Sequence, residues 1–270
     1  MYSLVQDQAS ARERFRARML MGSADIVSPV LLVIGIGIFL WLAANPAQLE
    51  ALLRFAFPGR SSYLYERASL LALLGEHLVL VAVSATAAAV FGISLGILVT
   101  RPAGRDFLGI VRDLSSLAQT FPPVAVLALA VPALGFGFQP AVVALFVYSI
   151  LPVINNTISG LVAVPPDIVE VSRGMGMTRV QILFRTELPV AARVIIAGVR
   201  TSVVINIGTA TIGAVVGAGG LGAVIISGLV RDNYALVFTG AVSAAVLAFT
   251  ADWCFARLER RFYSARSDRS

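Results

Sequence analysis

Six long apolar runs, joined by short segments that hold nearly all the arginines, constrain this chain more than any other feature. They cover residues 26–44, 70–100, 114–134, 140–164, 190–216 and 234–255. A helix needs about 20 apolar residues to cross the hydrocarbon core of a bilayer. Each run is close to that length, so the chain reads as an all-α membrane protein of about six transmembrane helices. Composition agrees: 58% of the residues are hydrophobic and 13% are charged, against roughly 25% charged in soluble domains. The first run is longer than a signal-peptide core of about 7–15 residues. It reads as an uncleaved span, with cleavage near Ala44 as the alternative.

The arginines give the orientation. Lysine is absent, so all 21 basic residues are arginine. Sixteen fall in the segments that share a side with the N-terminus, and Arg54, Arg60, Arg67 and Arg231 fall in the others. Arginine accumulates on the cytoplasmic side, so both termini are expected there. The expected organisation is a cytoplasmic tail over 1–25, a first transmembrane helix and outer loop over 26–66, a transmembrane core over 67–256 and a cytoplasmic tail over 257–270. The net charge of +6 belongs to this membrane pattern and does not point to nucleic acid. Pro122, Pro123, Pro132 and Pro152 lie inside runs. Such prolines mark either bent helices lining a path or ordinary bundle kinks.

Several chemistries drop out. A phosphate-binding P-loop needs a lysine, so this chain lacks that device for ATP. A Schiff-base lysine is excluded too. The lone Cys254 permits no internal disulfide, and the lone His77 gives no zinc site; no metal is expected. Gly217, Gly219 and Gly222 have the spacing of a dinucleotide fingerprint, but that fingerprint means something only between a strand and a helix. Here a tight turn at the outer mouth is the better reading. Gly92 and Gly96 stand four apart, as close helix packing favours.

One stretch stands out from the oily background: EVSRGMGMTRVQILFRTELPV, residues 170–190. By the arginine count it faces the cytoplasm. Pro166 suits a first helical position, with Asp167 and Glu170 near the positive helix end. The helix is expected to run to about Arg173, where Gly174 and Gly176 break it. Thr178 and Gln181 have the form of a capping box. Val180, Leu183, Phe184 and Leu188 then recur at helical spacing, and Pro189 breaks the pattern before the fifth span. Two readings follow: a charged connection lying on lipid headgroups, or a knob that docks in a groove of a partner subunit.

The stretch resembles a family pattern. Permease subunits of binding-protein-dependent ABC importers carry Glu-Ala-Ala, three residues, Gly, nine residues, Ile, any residue, Leu-Pro. Here Glu170, Gly176, Leu188 and Pro189 fall in register, while Val171 and Ser172 replace the alanines and Thr186 the isoleucine. The resemblance implies that this segment is the coupling helix, docking in a cleft of the ATPase subunit. It carries that role to Glu170, Gly176, Leu188 and Pro189, with Arg173 and Thr178 beside them. Residues 119–157, 174–222 and 228–233 are similar to permeases of osmoprotectant importers, most of all the Yeh type. That likeness runs over roughly 70–262. It implies a MetI-like permease fold of the type I importers in a bacterial inner membrane. The implied cargo is glycine betaine, choline or related quaternary amines. The implied partners are ATPase subunits, which hold the ATP and magnesium, a second permease, identical or related, and a periplasmic or lipid-anchored solute-binding protein. The bilayer surrounds all of them, and no cofactor sits on this chain. A permease of the same class with another cargo, or an ion-coupled secondary transporter, are the alternatives.

Polar residues within the spans complete the candidates. Arg200 lies about ten residues, or about 15 Å, into the fifth span. A charge that deep usually has a partner inside the bundle, and Asp252 is the acid nearest in depth. Thr120, Asn155, Asn156, Thr157, Asn206, Thr209 and Thr211 either line a translocation path or form helix–helix hydrogen bonds. No cluster of aromatics forms a cage for a quaternary ammonium, so selection is expected on a separate binding protein.

Overall fold

The computed structural model describes residues 30–118 and 120–267, and among them every regular element is helical. The tail expected over 1–25 and the start of the first apolar run lie outside the described residues. The chain divides into two units between Leu49 and Glu50. The outer loop, assigned by sequence to the first span, therefore belongs with the core.

The first unit carries α1 (Val30–Ala44). At Asn45 the chain bends by 104° into α2 (Pro46–Ala56). Proline disfavours the helical region for the residue before it, so Asn45 leaves the helix. Its side chain donates to the Trp41 carbonyl at 2.7 Å, and its own carbonyl accepts from Gln48 and Leu49. Among the described residues, Val30–Ala44 is long and apolar enough to cross a membrane only together with Pro46–Ala56.

The second unit contains four helices long and apolar enough to span a bilayer. These are α3 (Leu70–Thr100), α6 (Phe138–Val162), the continuous segment Arg179–Val216, and α11, which runs from Tyr234 to Ser267. The third apolar run departs from the sequence reading. It is divided into α4 (Leu108–Ala118) and α5 (Pro123–Leu134). Pro122 caps α5 and Pro123 opens it, and consecutive prolines block a helix from passing through. At 12 residues α5 is about 18 Å long, too short to cross alone. The C-terminal segment 257–267 prolongs α11 as helix.

Pro189 has an unexpected effect. It does not end the helix before the fifth span. Residues α8 (Arg179–Ile182), a π-helical turn (Leu183–Glu187) and α9 (Leu188–Ala210) follow without a break, and a 3-10 turn completes the rod at Val216. A proline lacks its N–H and its ring collides with the carbonyl four residues back. The wider π turn takes up the strain, with the Leu188 N–H bonding the Leu183 carbonyl.

Helix α6 is the central post, with α3 and α9 packed on it. A Cβ on Gly92 would come within 2.9 Å of Val153, one on Gly96 within 2.7 Å of Thr157, and one on Gly198 of α9 within 2.6 Å of Asn156. In lipid, close backbone approach of this kind supplies much of the packing attraction. Leu80, Val81, Ala141, Leu145 and Ile207 fill the adjoining core. Two buried polar links cross it: Asn206 Nδ2 donates to Ser84 Oγ at 3.0 Å, and His77 Nε2 pairs with the Ile207 carbonyl at 3.0 Å.

Beyond Val216 the glycine turn leads into the short apolar helix α10 (Leu221–Val230). Glu76 accepts the Gly220 N–H at 2.9 Å, which ties this turn to α3. Asn233 Nδ2 donates to the Ser62 carbonyl at 2.7 Å, and Phe57 stacks against Phe238 with ring centroids 5.4 Å apart. The outer loop is thereby fastened to the start of α11.

Replacing Gly96 with Leu should force α3 away from α6 and destabilise the protein by about 1–3 kcal/mol, the usual range for overpacking. A thermal melt in detergent measures this. An unchanged midpoint would show that the two helices do not depend on that contact.

Candidate functional site

The hairpin that the arginine count assigns to the cytoplasm is built from α7 (Pro166–Gly174) and the start of the rod. Asp167 stands in the first turn of α7 and Arg173 in the last, each the favourable sign for the helix dipole. Gly176 has φ +78°, a left-handed conformation that costs other residues about 1–2 kcal/mol. Its N–H bonds the Arg173 carbonyl, and the Met177 N–H reaches back to Ser172. Thr178 and Gln181 form a complete capping box at the start of α8.

This hairpin has two faces. Toward the bundle, Ile182 is buried, and Leu183 and Leu188 pack against Leu161, Ala191 and Ile195. Away from it, Val171, Met175, Val180 and Phe184 are each at least 63% exposed. Glu170, Arg173, Arg179 and Arg185 are exposed around them. The four apolar residues at helical spacing therefore do not share a face: Val180 and Phe184 look outward, and Leu183 and Leu188 pack inward.

Two polar ties fasten the hairpin. Ser172 Oγ donates to the Ile168 carbonyl at 2.9 Å and lies 3.0 Å from Thr186 Oγ1. These are two of the three departures from the family pattern, and they meet each other: one hydroxyl pair stands where the pattern has alanine and isoleucine. The second tie is Arg101 Nη1, which donates to Glu187 Oε2 at 2.5 Å. Glu187 is only 14% exposed, so this pair is better shielded than a surface bridge. It joins the end of α3 to the base of the rod. Sequence reasoning counted Arg101 only for orientation and passed over Glu187. A signal existed: no basic residue lies three or four positions from Glu187 in either direction, so its partner had to come from another element.

Within the membrane segments, Arg200 grips Asp252 with both ends of its fork, Nε to Oδ1 at 2.6 Å and Nη2 to Oδ2 at 2.7 Å. Nη1 also reaches Glu259 Oε2 at 3.4 Å. Glu259 lies seven residues beyond Asp252, about two turns along the same face of α11. Its part in this cluster was not foreseen.

The seven polar candidates scatter. Thr120 is exposed in the break between α4 and α5, bonding the Leu117 carbonyl. Asn156 bonds the Pro152 carbonyl, and Thr211 bonds that of Gly208. Thr157 and Asn206 are fully buried, in contact with α3 through Gly96 and Ser84. Asn155 and Thr209 are half-buried. Among the described residues no group of His, Cys, Asp or Glu side chains gathers as a metal site.

Residues 88–263 match the family described as binding-protein-dependent transport system inner membrane component. The chain is 40% identical over 189 residues to the osmoprotectant import permease protein OsmY of Salmonella typhimurium, covering 70% of this chain and 80% of that protein. It is 39% identical over 204 residues to OsmW of the same organism, also named an osmoprotectant import permease protein, covering 73% and 94%. Against the glycine betaine/carnitine/choline transport system permease protein OpuCD of Bacillus subtilis, identity is 42% over 174 residues, with 64% and 75% covered. Among solved structures, an inward-facing form of the MetNI methionine ABC transporter superposes with a TM-score of 0.63 at 25% identity, covering 72% of this chain and 95% of that one. A chain of an amino acid ABC transporter with histidines superposes at 0.60 with 20% identity, covering 71% and 93%; that likeness is one of fold.

Replacing Asp252 with Asn leaves Arg200 without its bidentate partner and should cost up to about 2.5–3.5 kcal/mol, the scale for placing an arginine in a membrane helix. Adding Arg200→Gln should then cost less than the sum of the single effects, with a coupling of about 0.5–3 kcal/mol. A double-mutant cycle on unfolding in detergent reads this, and strict additivity would refute the pairing.

Proposed function

The chain belongs to the binding-protein-dependent transport system inner membrane component family and is a permease subunit of an ABC importer; from that premise we propose that it carries osmoprotectants into a bacterial cell. Its cargo is glycine betaine, choline or a related quaternary amine. The observation that carries this reading is the 39–40% identity to osmoprotectant permeases over 70–73% of the chain. The two fold neighbours move methionine and an amino acid in name, but they stand at 25% and 20% identity. Hydrolysis of ATP with magnesium takes place on partner ATPase subunits. A second permease, identical or related, completes the pathway, and a solute-binding protein delivers cargo at the outer face.

In this proposal the hairpin is the coupling element. The exposed Val171, Met175, Val180 and Phe184 supply the apolar surface that an ATPase groove buries, at roughly 1.5–3 kcal/mol for each side chain fully covered. Glu170 and Arg173 flank that surface. Gly176 and Thr178 shape the turn, and Leu188 with Pro189 seats the base of the rod. The rod from Arg179 to Val216 is 38 residues long, about 57 Å at 1.5 Å per residue. A push at its cytoplasmic end therefore tilts one stiff element that ends at the outer glycine turn. The Ser172–Thr186 and Arg101–Glu187 ties keep α7 and α3 from sliding past it. Asn155 and Thr209, which keep some exposure, are the better candidates for a polar path; Thr120, Asn156, Thr157, Asn206 and Thr211 already serve local or interhelical contacts.

Gly176→Leu forces a side chain into the left-handed turn and onto the docking face. Reconstituted with its ATPase and solute-binding protein, the variant should lose at least tenfold in ATP-driven uptake of glycine betaine or choline. It should still insert, but release the ATPase on purification. Uptake at the normal rate would rule out coupling through this turn.

A further inference from the structure

Only four arginines lie on the outer side, the side that this class of protein keeps poor in positive charge. Two of them are occupied. Arg54 bonds Glu50 at 2.8 Å and lies over the Tyr63 ring. Arg60 bonds the Asp232 carbonyl at 3.0 Å and lies over the Tyr234 ring. The other two meet at one place. Arg67 and Arg231 line a cavity of 420 Å³ together with Tyr65, Gly217, Gly219 and Ser227. Arg67 is exposed, and no described residue pairs with it. Arg231 has only a stretched contact with Glu66, at 4.0 Å between two well-exposed side chains.

We infer that this cavity is the seat for an acidic side chain of the solute-binding protein, which enters between Arg67 and Arg231. The inference rests on the importer reading above, because only a protein served by such a receptor has a partner to receive on this face. Guanidinium forks bind carboxylates with two parallel hydrogen bonds. Two of them within one cavity, one unpartnered and one weakly held, match a carboxylate that displaces Glu66 from Arg231. The walls give the position its consequence. Gly217 and Gly219 belong to the turn at the outer end of the rod, and that turn is held to α3 through the Glu76–Gly220 bond. A receptor seated here touches the same element that the cytoplasmic hairpin begins. Docking and coupling then share one rod.

The test uses the whole importer in nanodiscs and the solute-binding protein that stimulates its ATPase. The double variant Arg67→Glu with Arg231→Glu should raise the receptor's Kd at least tenfold at low salt. It should also flatten the ionic-strength dependence that charge steering imposes on association. Glu66→Gln removes the competing carboxylate and should tighten binding at least twofold, a gain that misfolding does not produce. Unchanged affinity in both variants overturns the inference. So does normal receptor binding with a raised KM for glycine betaine but not for choline, since that pattern gives the cavity to the solute's own carboxylate. If no solute-binding protein stimulates the wild-type importer, the importer reading itself fails.

Discussion

Helices in a bilayer gain nothing by burying apolar surface against each other, because lipid is equally apolar. What holds this bundle is the contact of small residues with α6. Gly92 and Gly96 bring α3 onto Val153 and Thr157, and Gly198 brings α9 onto Asn156. Those two approaches set α3 and the rod against α6. The hairpin, the outer glycine turn and the buried Asn206–Ser84 link all take their places from that packing.

Charge and polar groups then act as specific staples. Arg200 on α9 reaches Asp252 and Glu259 on α11, and Arg101 on α3 reaches Glu187 at the base of the rod. Glu76 on α3 holds the turn after it. Each staple joins the rod or its outer turn to another helix. In the proposed function the rod is the element that links the two faces of the molecule. Its continuity owes something to the π turn, which lets the helix pass Pro189 instead of ending there.

The Ser172–Thr186 contact shows how a local pattern survives substitution. The family pattern has apolar residues, alanine and isoleucine, at these positions. Here both positions are hydroxyl residues, and the two hydroxyls meet. A single replacement would have set a polar atom against an apolar partner in a largely buried place. The paired replacement keeps α7 against the rod by a hydrogen bond.

Much was legible in the chain itself. Apolar length and arginine distribution are compositional signals, so they identified a helical membrane protein, and the spacing of Glu170, Gly176 and Leu188-Pro189 carried the resemblance to importer permeases. The capping box of Thr178 and Gln181 was equally local, while the match of Arg200 with Asp252 came from their similar depth in two spans. Other features were decided only by the fold. The third run breaks because two adjacent prolines stop a helix, whereas Pro189 does not, because a π turn absorbs it; residue identity alone does not distinguish the outcomes. Arg101 finds Glu187, Glu259 joins Asp252, and Arg67 meets Arg231 across sequence gaps that no spacing rule spans. Periodicity records which residues are apolar within one helix. Only the packing of several helices brings distant charges together, because position in space depends on every element between them.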